Sequence, residues 1–201
     1  MCYNTELYKV TPNYLAVQIN FNIFTKRVIF TVCYTVFTKL FVTLGRSKIL
    51  TLILNMEQIH KQALLDRRYL RMARIWSENS YCVRRKVGAI IVKDGMIISD
   101  GYNGTPSGFE NVCEDDDGHT KPYVLHAEAN AITKVARSNN SSDGATLYVT
   151  ASPCVECAKL IIQSGIRRVV FNELYRICDG IDLLNRAGVE CVHIEDIESN
   201  I

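Results

Sequence analysis

Cysteine, histidine and glutamate occur in two short strings whose spacing suits metal chemistry. Cys154 and Cys157 are three positions apart at the predicted start of a helix, so both thiols project from one side and can bind a single ion. The positive end of that helix also favours the thiolate form. His126, before another predicted helix, supplies a third ligand. Three protein ligands leave one tetrahedral position open, which is typical of catalytic rather than structural zinc.

Glu128 lies two positions beyond His126, where it can reach the open position without being a ligand itself. Taken singly, these strings decide little, because a Cys-x-x-Cys also fits a redox dithiol or two buried thiols. Their order is more specific: His-x-Glu opens a helix, a strand follows, and Pro-Cys-x-x-Cys opens the next helix. That combination is typical of zinc-dependent nucleobase deaminases, in which the glutamate transfers protons.

The elements that must position these residues alternate along the chain, which predicts an α/β fold. A helix is predicted over residues 56–80, with its four arginines at 67, 68, 71 and 74 facing solvent. Lys93-Asp94-Gly95 separates two apolar runs and predicts a hairpin. Further helices are predicted at 126–137, 154–164 and 179–187, and strands at 145–150, 168–171 and 189–194. Strands joined through helices predict a sheet that is largely parallel after its hairpin, with helices on both faces.

Residues 66–194 resemble the CMP/dCMP-type zinc deaminases, in particular the deoxycytidylate deaminases. The resembling strings are GYNGTPSG at 101–108, HAEANAI at 126–132 and ASPCVECAKLIIQSGI at 151–166. The resemblance implies a cytidine-deaminase-like three-layer α/β/α sandwich around a mixed sheet of about five strands. It also implies a cytoplasmic homo-oligomer that deaminates dCMP to dUMP for thymidylate synthesis. His126, Cys154 and Cys157 would bind Zn²⁺ and Glu128 would transfer protons, while dCTP and dTTP are candidate effectors.

Three further residues are candidates for substrate binding. The resemblance implies that Asn103 contacts the sugar of the nucleotide, and a glycine such as Gly104 lets backbone approach a ligand closely. Tyr175 follows the strand at 168–171, in a position suited to lining the base pocket. The alternatives are an Asn-Gly turn without a ligand and a core tyrosine. The basic residues 84–86 could bind the phosphate or simply face solvent.

Some deoxycytidylate deaminases carry a second, structural zinc, for which Cys82, Cys113 and His119 are the candidate ligands here. A fourth ligand is not identified, and the alternative is a pair of unpaired, reduced thiols. The four consecutive acids at 114–117 follow Cys113 directly. Charges of that density are expected to lie in solvent, on a mobile loop.

The amino-acid composition helps to distinguish the candidate functions of the chain. With 48% hydrophobic and 22% charged residues, the chain is neither wholly disordered nor a polytopic membrane protein. A tRNA adenosine deaminase shares the zinc strings but needs a basic surface, whereas residues 56–201 carry 17 basic and 20 acidic residues. No nucleic-acid partner is therefore expected. A competence-operon protein of the same fold, acting in DNA uptake, is the remaining alternative.

Residues 1–55 differ in composition from residues 56–201, which we expect to form the deaminase domain. The first segment has six basic residues against one acid and holds nine of the 18 aromatic residues. Its apolar stretch at 28–44 contains Lys39 and is shorter than the roughly 20 residues of a membrane span; strands would also fit its composition. We expect an atypical extension from an upstream start codon, with a membrane or targeting segment and an accessory element as alternatives. It should be poorly ordered, or form an apolar hairpin or helix with few contacts to the zinc site.

Overall fold

A computed structural model describes residues 23–175 and 178–198, with side chains from residue 48 onwards except Ile49. The chain divides into two units, Met1–Lys61 and Gln62–Ile201. Helix α1 (Ile23–Ser77) begins in the first unit and ends in the second, so the predicted helix start at Met56 and the strand interpretation of residues 28–44 are wrong. Residues 1–22 of the predicted extension lie outside the described residues. No helix in the described ranges combines the length and apolar character needed to cross a bilayer.

The order of the elements after α1 agrees with the predicted alternation. They are β1 (Gly88–Lys93), β2 (Met96–Tyr102), α2 (Ala127–Ala136), β3 (Thr146–Ala151), α3 (Val155–Gln163), β4 (Arg168–Glu173), α4 (Asp179–Arg186) and β5 (Glu190–His193). The hairpin turn is confirmed: Asp94 and Gly95 both have positive φ, which the tight turn between β1 and β2 requires.

The five strands form one mixed sheet in the order β2-β1-β3-β4-β5. Strand β1 is antiparallel to both β2 and β3, whereas β3, β4 and β5 are parallel. Leu70 and Ala73 of α1 pack on one face of the sheet, and α2, α3 and α4 cover the apolar cluster on the other. The result is a three-layer α/β/α sandwich, and both β3 and β4 deliver their carboxyl ends to the same edge.

A buried carboxylate joins the second unit's part of α1 to the sheet. Asp66, only 3% exposed, accepts two hydrogen bonds of 2.8 Å from the guanidinium of Arg168 on β4. The hydroxyl of Tyr148 and the amide of Gln62 donate to the same carboxylate, each at 2.8 Å. Burial alone would raise the pKa of Asp66, but these donors and the positive charge of Arg168 outweigh it and hold the pKa below its ordinary value.

Two glycines allow close approach to the elements that carry the metal-binding strings. A Cβ on Gly101 of β2 would overlap the carbonyl oxygen of Ala127, so the strand lies directly against α2. A Cβ on Gly180 of α4 would overlap the carbonyl oxygen of Pro153 and lie 2.8 Å from the carbonyl carbon of Cys154. Helices α2 and α3 are thus packed against backbone at the ends where the predicted ligands lie.

Candidate metal centre and nucleotide cleft

His126 and Cys154 are the N-cap residues of α2 and α3. Both have extended backbone, with φ and ψ of −74° and 156° for His126 and −76° and 171° for Cys154. Their carbonyl oxygens accept the first helical hydrogen bonds, from the N–H groups of Asn130 at 2.9 Å and Ala158 at 2.8 Å. Neither side chain is used as a cap. The imidazole of His126 and the thiol of Cys154 therefore lie at the N-terminal ends of two helices without being used in helix capping.

The imidazole of His126 faces both thiols. Its Nδ1 lies 3.5 Å from the Sγ of Cys154 and 3.4 Å from the Sγ of Cys157. A tetrahedral zinc with Zn–S of about 2.3 Å and Zn–N of about 2.05 Å requires N···S separations of about 3.6 Å. The side chains thus fit a zinc ion. Within the part of the chain that the structure describes, no other group of three His, Cys, Asp or Glu side chains is so arranged.

Hydrogen bonds shift the pKa values of all three side chains in this group. The contacts from Cys157 and His126 lower the pKa of the Cys154 thiol to about 3, so it is a thiolate at neutral pH. The same contact with Cys154, together with burial, raises the pKa of Cys157. The proximity of Cys154 also raises the pKa of His126. A cation placed among the three would favour the thiolate form of both cysteines, which is what a metal does for such a set.

Glu128 is almost fully buried, with 4% exposure, in the first turn of α2. Burial raises the pKa of its carboxyl above the ordinary value of 4.5 because the charged form is desolvated there. A raised pKa brings a carboxyl closer to the working pH, where it can both accept and release a proton. Its burial beside His126 makes Glu128 the candidate proton-transfer group of this site.

Two of the three candidate metal ligands, His126 and Cys154, line a cleft of about 630 Å³, a size suited to a small-molecule ligand. Its lining includes His126, Glu128 and Cys154, together with Asn103, Tyr175, Arg84, Arg85, Glu114, Thr120 and Ser152. Of the three predicted substrate residues, Asn103 and Tyr175 line this cleft. Gly104 does not line it.

The side chain of Asn103 makes hydrogen bonds to two backbone groups of a neighbouring segment. Its Oδ1 accepts a 2.7 Å hydrogen bond from the N–H of Val87, and its Nδ2 donates to the carbonyl of Arg85 at 2.8 Å. Gly104 forms a two-hydrogen-bond bridge with Leu125, the residue before His126. Both residues therefore position segments that border the cleft, whereas the sequence analysis assigned them to substrate contact. The sugar contact of Asn103 stays a prediction.

Tyr175 is held at the mouth of the cleft by its backbone and by an arginine. Its N–H donates to the Oγ of the buried Ser152 at 2.8 Å, and the guanidinium of Arg85 lies 5.5 Å from its ring centroid. Arg85 is fixed in turn by Glu173, with Nη2 2.6 Å from Oε2. Tyr175 is half exposed and is not a core tyrosine.

The three candidate ligands for a second metal do not form one group in the described residues. Cys82 and Cys113 are joined by a disulfide, so the alternative of two unpaired thiols is wrong. His119 is exposed, and its Nδ1 lies 3.8 Å from the carboxylate of Asp115. The disulfide connects the segment after α1 to the loop before α2.

Glu114 was missed by the sequence analysis, which assigned it to a solvated acidic run. Its Oε1 accepts hydrogen bonds from the consecutive N–H groups of Val83, at 3.0 Å, and Arg84, at 3.1 Å. Glu114 therefore fixes the same segment that the Cys82–Cys113 disulfide holds. The only signal in the sequence was its position directly after Cys113.

Comparison with known proteins identifies the family. Residues 64–173 match the family model for the cytidine and deoxycytidylate deaminase zinc-binding region. The chain belongs to this family. A relative from Enterobacteria phage T4, named deoxycytidylate deaminase, is 36% identical over 168 residues, which is 62% of this chain and 87% of the relative. ComE operon protein 2 of Bacillus subtilis is 36% identical over 133 residues, covering 63% of this chain and 69% of the relative.

A solved structure gives the same fold. It is the dCMP deaminase of cyanophage S-TIM5 in complex with dCMP and dUMP, with a TM-score of 0.62 and 51% identity. The match covers 63% of this chain and 93% of the cyanophage chain. The predicted cytidine-deaminase-like sandwich with a mixed five-stranded sheet is therefore confirmed.

Proposed function

We propose that the chain is a zinc-dependent deaminase that converts dCMP and water into dUMP and ammonia, and so supplies dUMP for thymidylate synthesis. The observation that carries the proposal is the group of His126, Cys154 and Cys157 beside the buried carboxyl of Glu128, in a cleft large enough for a nucleotide. Membership of the deaminase family supports it. The dCMP and dUMP in the cyanophage structure support the choice of nucleotide.

In the proposed reaction, His126, Cys154 and Cys157 would hold a zinc ion. That ion would supply hydroxide at neutral pH by lowering the pKa of a water to about 7. Glu128 accepts the proton from water on its carboxylate and delivers it to N3 of the cytosine ring. Once the oxygen of the water has bonded to C4, Glu128 takes the second proton from that oxygen and gives it to the 4-amino group. The C4–N bond then breaks, ammonia leaves, and the C4–O bond becomes the carbonyl of uracil. The burial of Glu128 keeps this proton transfer away from bulk water.

The remaining assignments belong to the same proposal. Tyr175 would line the base, and Asn103 would contact the sugar while its amide holds the 85–87 segment. We also propose a cytoplasmic homo-oligomer that responds to dCTP and dTTP as effectors. Sedimentation with and without each triphosphate, together with rates measured at subsaturating dCMP, would test the oligomer and the effectors.

The decisive experiment measures ammonia release from dCMP, deoxycytidine, CMP and dCTP in parallel, with the products identified by mass. We expect dCMP to be the preferred substrate and dUMP to be its product. A folded tRNA anticodon stem-loop serves as the comparison substrate for the adenosine deaminase alternative. Comparable turnover of deoxycytidine would contradict the nucleotide assignment, and inosine formation in the RNA would favour the alternative.

A further inference from the structure

The backbone of residues 102–104 is held from more than one side, at the point where β2 ends beside the cleft. The N–H of Asn103 donates to the carbonyl of Val87 at 3.1 Å, and the carbonyl of Asn103 accepts a 2.7 Å hydrogen bond from the hydroxyl of Ser80. These two contacts attach the end of the strand to the segment that precedes β1. They do not attach it to α2, the helix that carries Glu128.

The side chain of Asn130 connects α2 to this backbone. Its Nδ2 donates a 2.9 Å hydrogen bond to the carbonyl of Tyr102, the residue before Asn103. Asn130 is half-buried and lies two positions after Glu128 in the same helix. One amide therefore joins the helix of the candidate proton-transfer group to the part of the cleft wall that Asn103 forms.

A second hydrogen bond crosses the interface between β2 and α2, farther from the cleft. The hydroxyl of Ser99, which is 8% exposed, donates to the carbonyl of Ala131 at 2.7 Å. Asp100 adds a 2.7 Å ion pair with Lys134. Asn103 lies four positions beyond Ser99, which is about 13 Å along an extended strand. These contacts hold the strand against the helix without reaching the wall of the cleft.

We propose that Asn130 is a positioning residue that fixes the distance between Glu128 and the cleft wall at Asn103. The inference rests on the proposed function and concerns the alignment of the substrate in the same cleft. Asn130 does not line the cleft, so it acts through the backbone of Tyr102. A cytosine base held by the wall must present N3 and C4 to Glu128, and a misplacement of about 1 Å can cost about 100-fold in rate.

The test compares Asn130→Ala with Ser99→Ala, because each variant removes one side-chain hydrogen bond to a backbone carbonyl across the same interface. Alanine is a better helix former than asparagine, so α2 should still form in Asn130→Ala. The measurements are zinc content, Tm, kcat and KM for dCMP, and amide hydrogen exchange at Asn103 and Gly104.

For Asn130→Ala we expect the zinc content of the unchanged protein, a kcat about 10- to 100-fold lower and a KM that is nearly unchanged. Exchange at Asn103 and Gly104 should become about fivefold faster, the change that corresponds to one lost hydrogen bond. Ser99→Ala should lower Tm but keep kcat and the exchange at these two residues.

Equal loss of kcat in the two variants would overturn the assignment, because any weakening of the interface between β2 and α2 would then suffice. Loss of zinc from Asn130→Ala would overturn it as well, since the effect would lie in the metal-binding residues. A higher KM with unchanged kcat would contradict a role in alignment, and unchanged exchange would show that Asn130 does not hold this backbone. If the unchanged protein deaminates dCMP and Asn130→Ala keeps its kcat, only the role of Asn130 is wrong. If the unchanged protein does not deaminate dCMP, the proposed function falls, and the role in alignment falls with it.

Discussion

Replacing Asp66 with asparagine should cost about 3 kcal/mol of unfolding free energy. The change keeps the shape of the side chain and an acceptor for the hydroxyl of Tyr148, but it leaves the guanidinium of Arg168 without its main counter-charge. Breaking one side of a buried ion pair typically costs about 3–5 kcal/mol. The lower end applies because Arg168, 17% exposed, keeps a 3.1 Å contact with Glu190. For a unit of about 140 residues, the loss corresponds to a fall in Tm of about 12 °C.

The assay is urea unfolding of four proteins: the unchanged chain, Asp66→Asn, Arg168→Met and the double variant. The double variant should lose about 2 kcal/mol less than the sum of the single losses, because it leaves no buried charge unpaired. Glu190→Gln is the matched control, since it removes an exposed partner of the same arginine and should cost under about 1 kcal/mol. An Asp66→Asn loss no larger than that of Glu190→Gln would refute the reasoning.

The ion pair between Asp66 and Arg168 also predicts how the stability of the protein depends on pH. The folded pKa of Asp66 lies below its ordinary value of 3.8, so its stabilising effect is complete above that value and is lost as the pH falls through the folded pKa. The stability difference between the unchanged protein and Asp66→Asn should therefore be constant from about pH 8 to 5 and shrink below about pH 4. A difference that grew on acidification would mean that the pKa is shifted the other way.

The other predictions concern the site and the extension. Glu128→Gln should keep the zinc content of the unchanged protein and lose about 10²- to 10⁴-fold in kcat. His126→Ala should lose zinc as well as activity. Equal loss of zinc in both variants would show that Glu128 is a ligand. Gly101→Ala should lower Tm by several degrees because the added methyl overlaps the carbonyl of Ala127, and an unchanged melting curve would contradict that contact. Deleting residues 1–55 should preserve dCMP turnover because the described residues that line the cleft all lie between residues 82 and 175. Inactivity of the refolded remainder would show that the extension is needed.

The grouping of the candidate metal ligands was predictable from the sequence because each of its parts is local. Cys154 and Cys157 share one turn, and His126 and Glu128 share another, so the helix period alone places each pair. Only the proximity of these two turns to each other depends on the tertiary fold. The resemblance implied that fold, and the strand and helix order agrees with it.

The roles of other residues depend on long-range contacts that no local pattern reveals. The arginines at 67, 68, 71 and 74 were expected in solvent, and Arg68 and Arg74 are exposed. Nevertheless, Arg71 donates to the carbonyl of Ile197 and Arg74 to the side chain of Asn172. The partners lie about 100 or more positions away along the chain. The role of Glu114 and the backbone contacts of Asn103 were missed for the same reason, since their partners are backbone groups of a loop that sequence patterns do not place.

The close approach of Gly180 to the Pro153–Cys154 backbone limits what a motif search can establish about homologous chains. The carbonyl of Cys154 starts the hydrogen bonding of α3, so a side chain at position 180 would displace the turn that carries the thiol of Cys154, a proposed zinc ligand. A homologue could therefore retain His-x-Glu and Pro-Cys-x-x-Cys letter for letter and still bind zinc poorly. Screening sequences for competent enzymes should require a glycine at this position, 23 residues beyond the second cysteine.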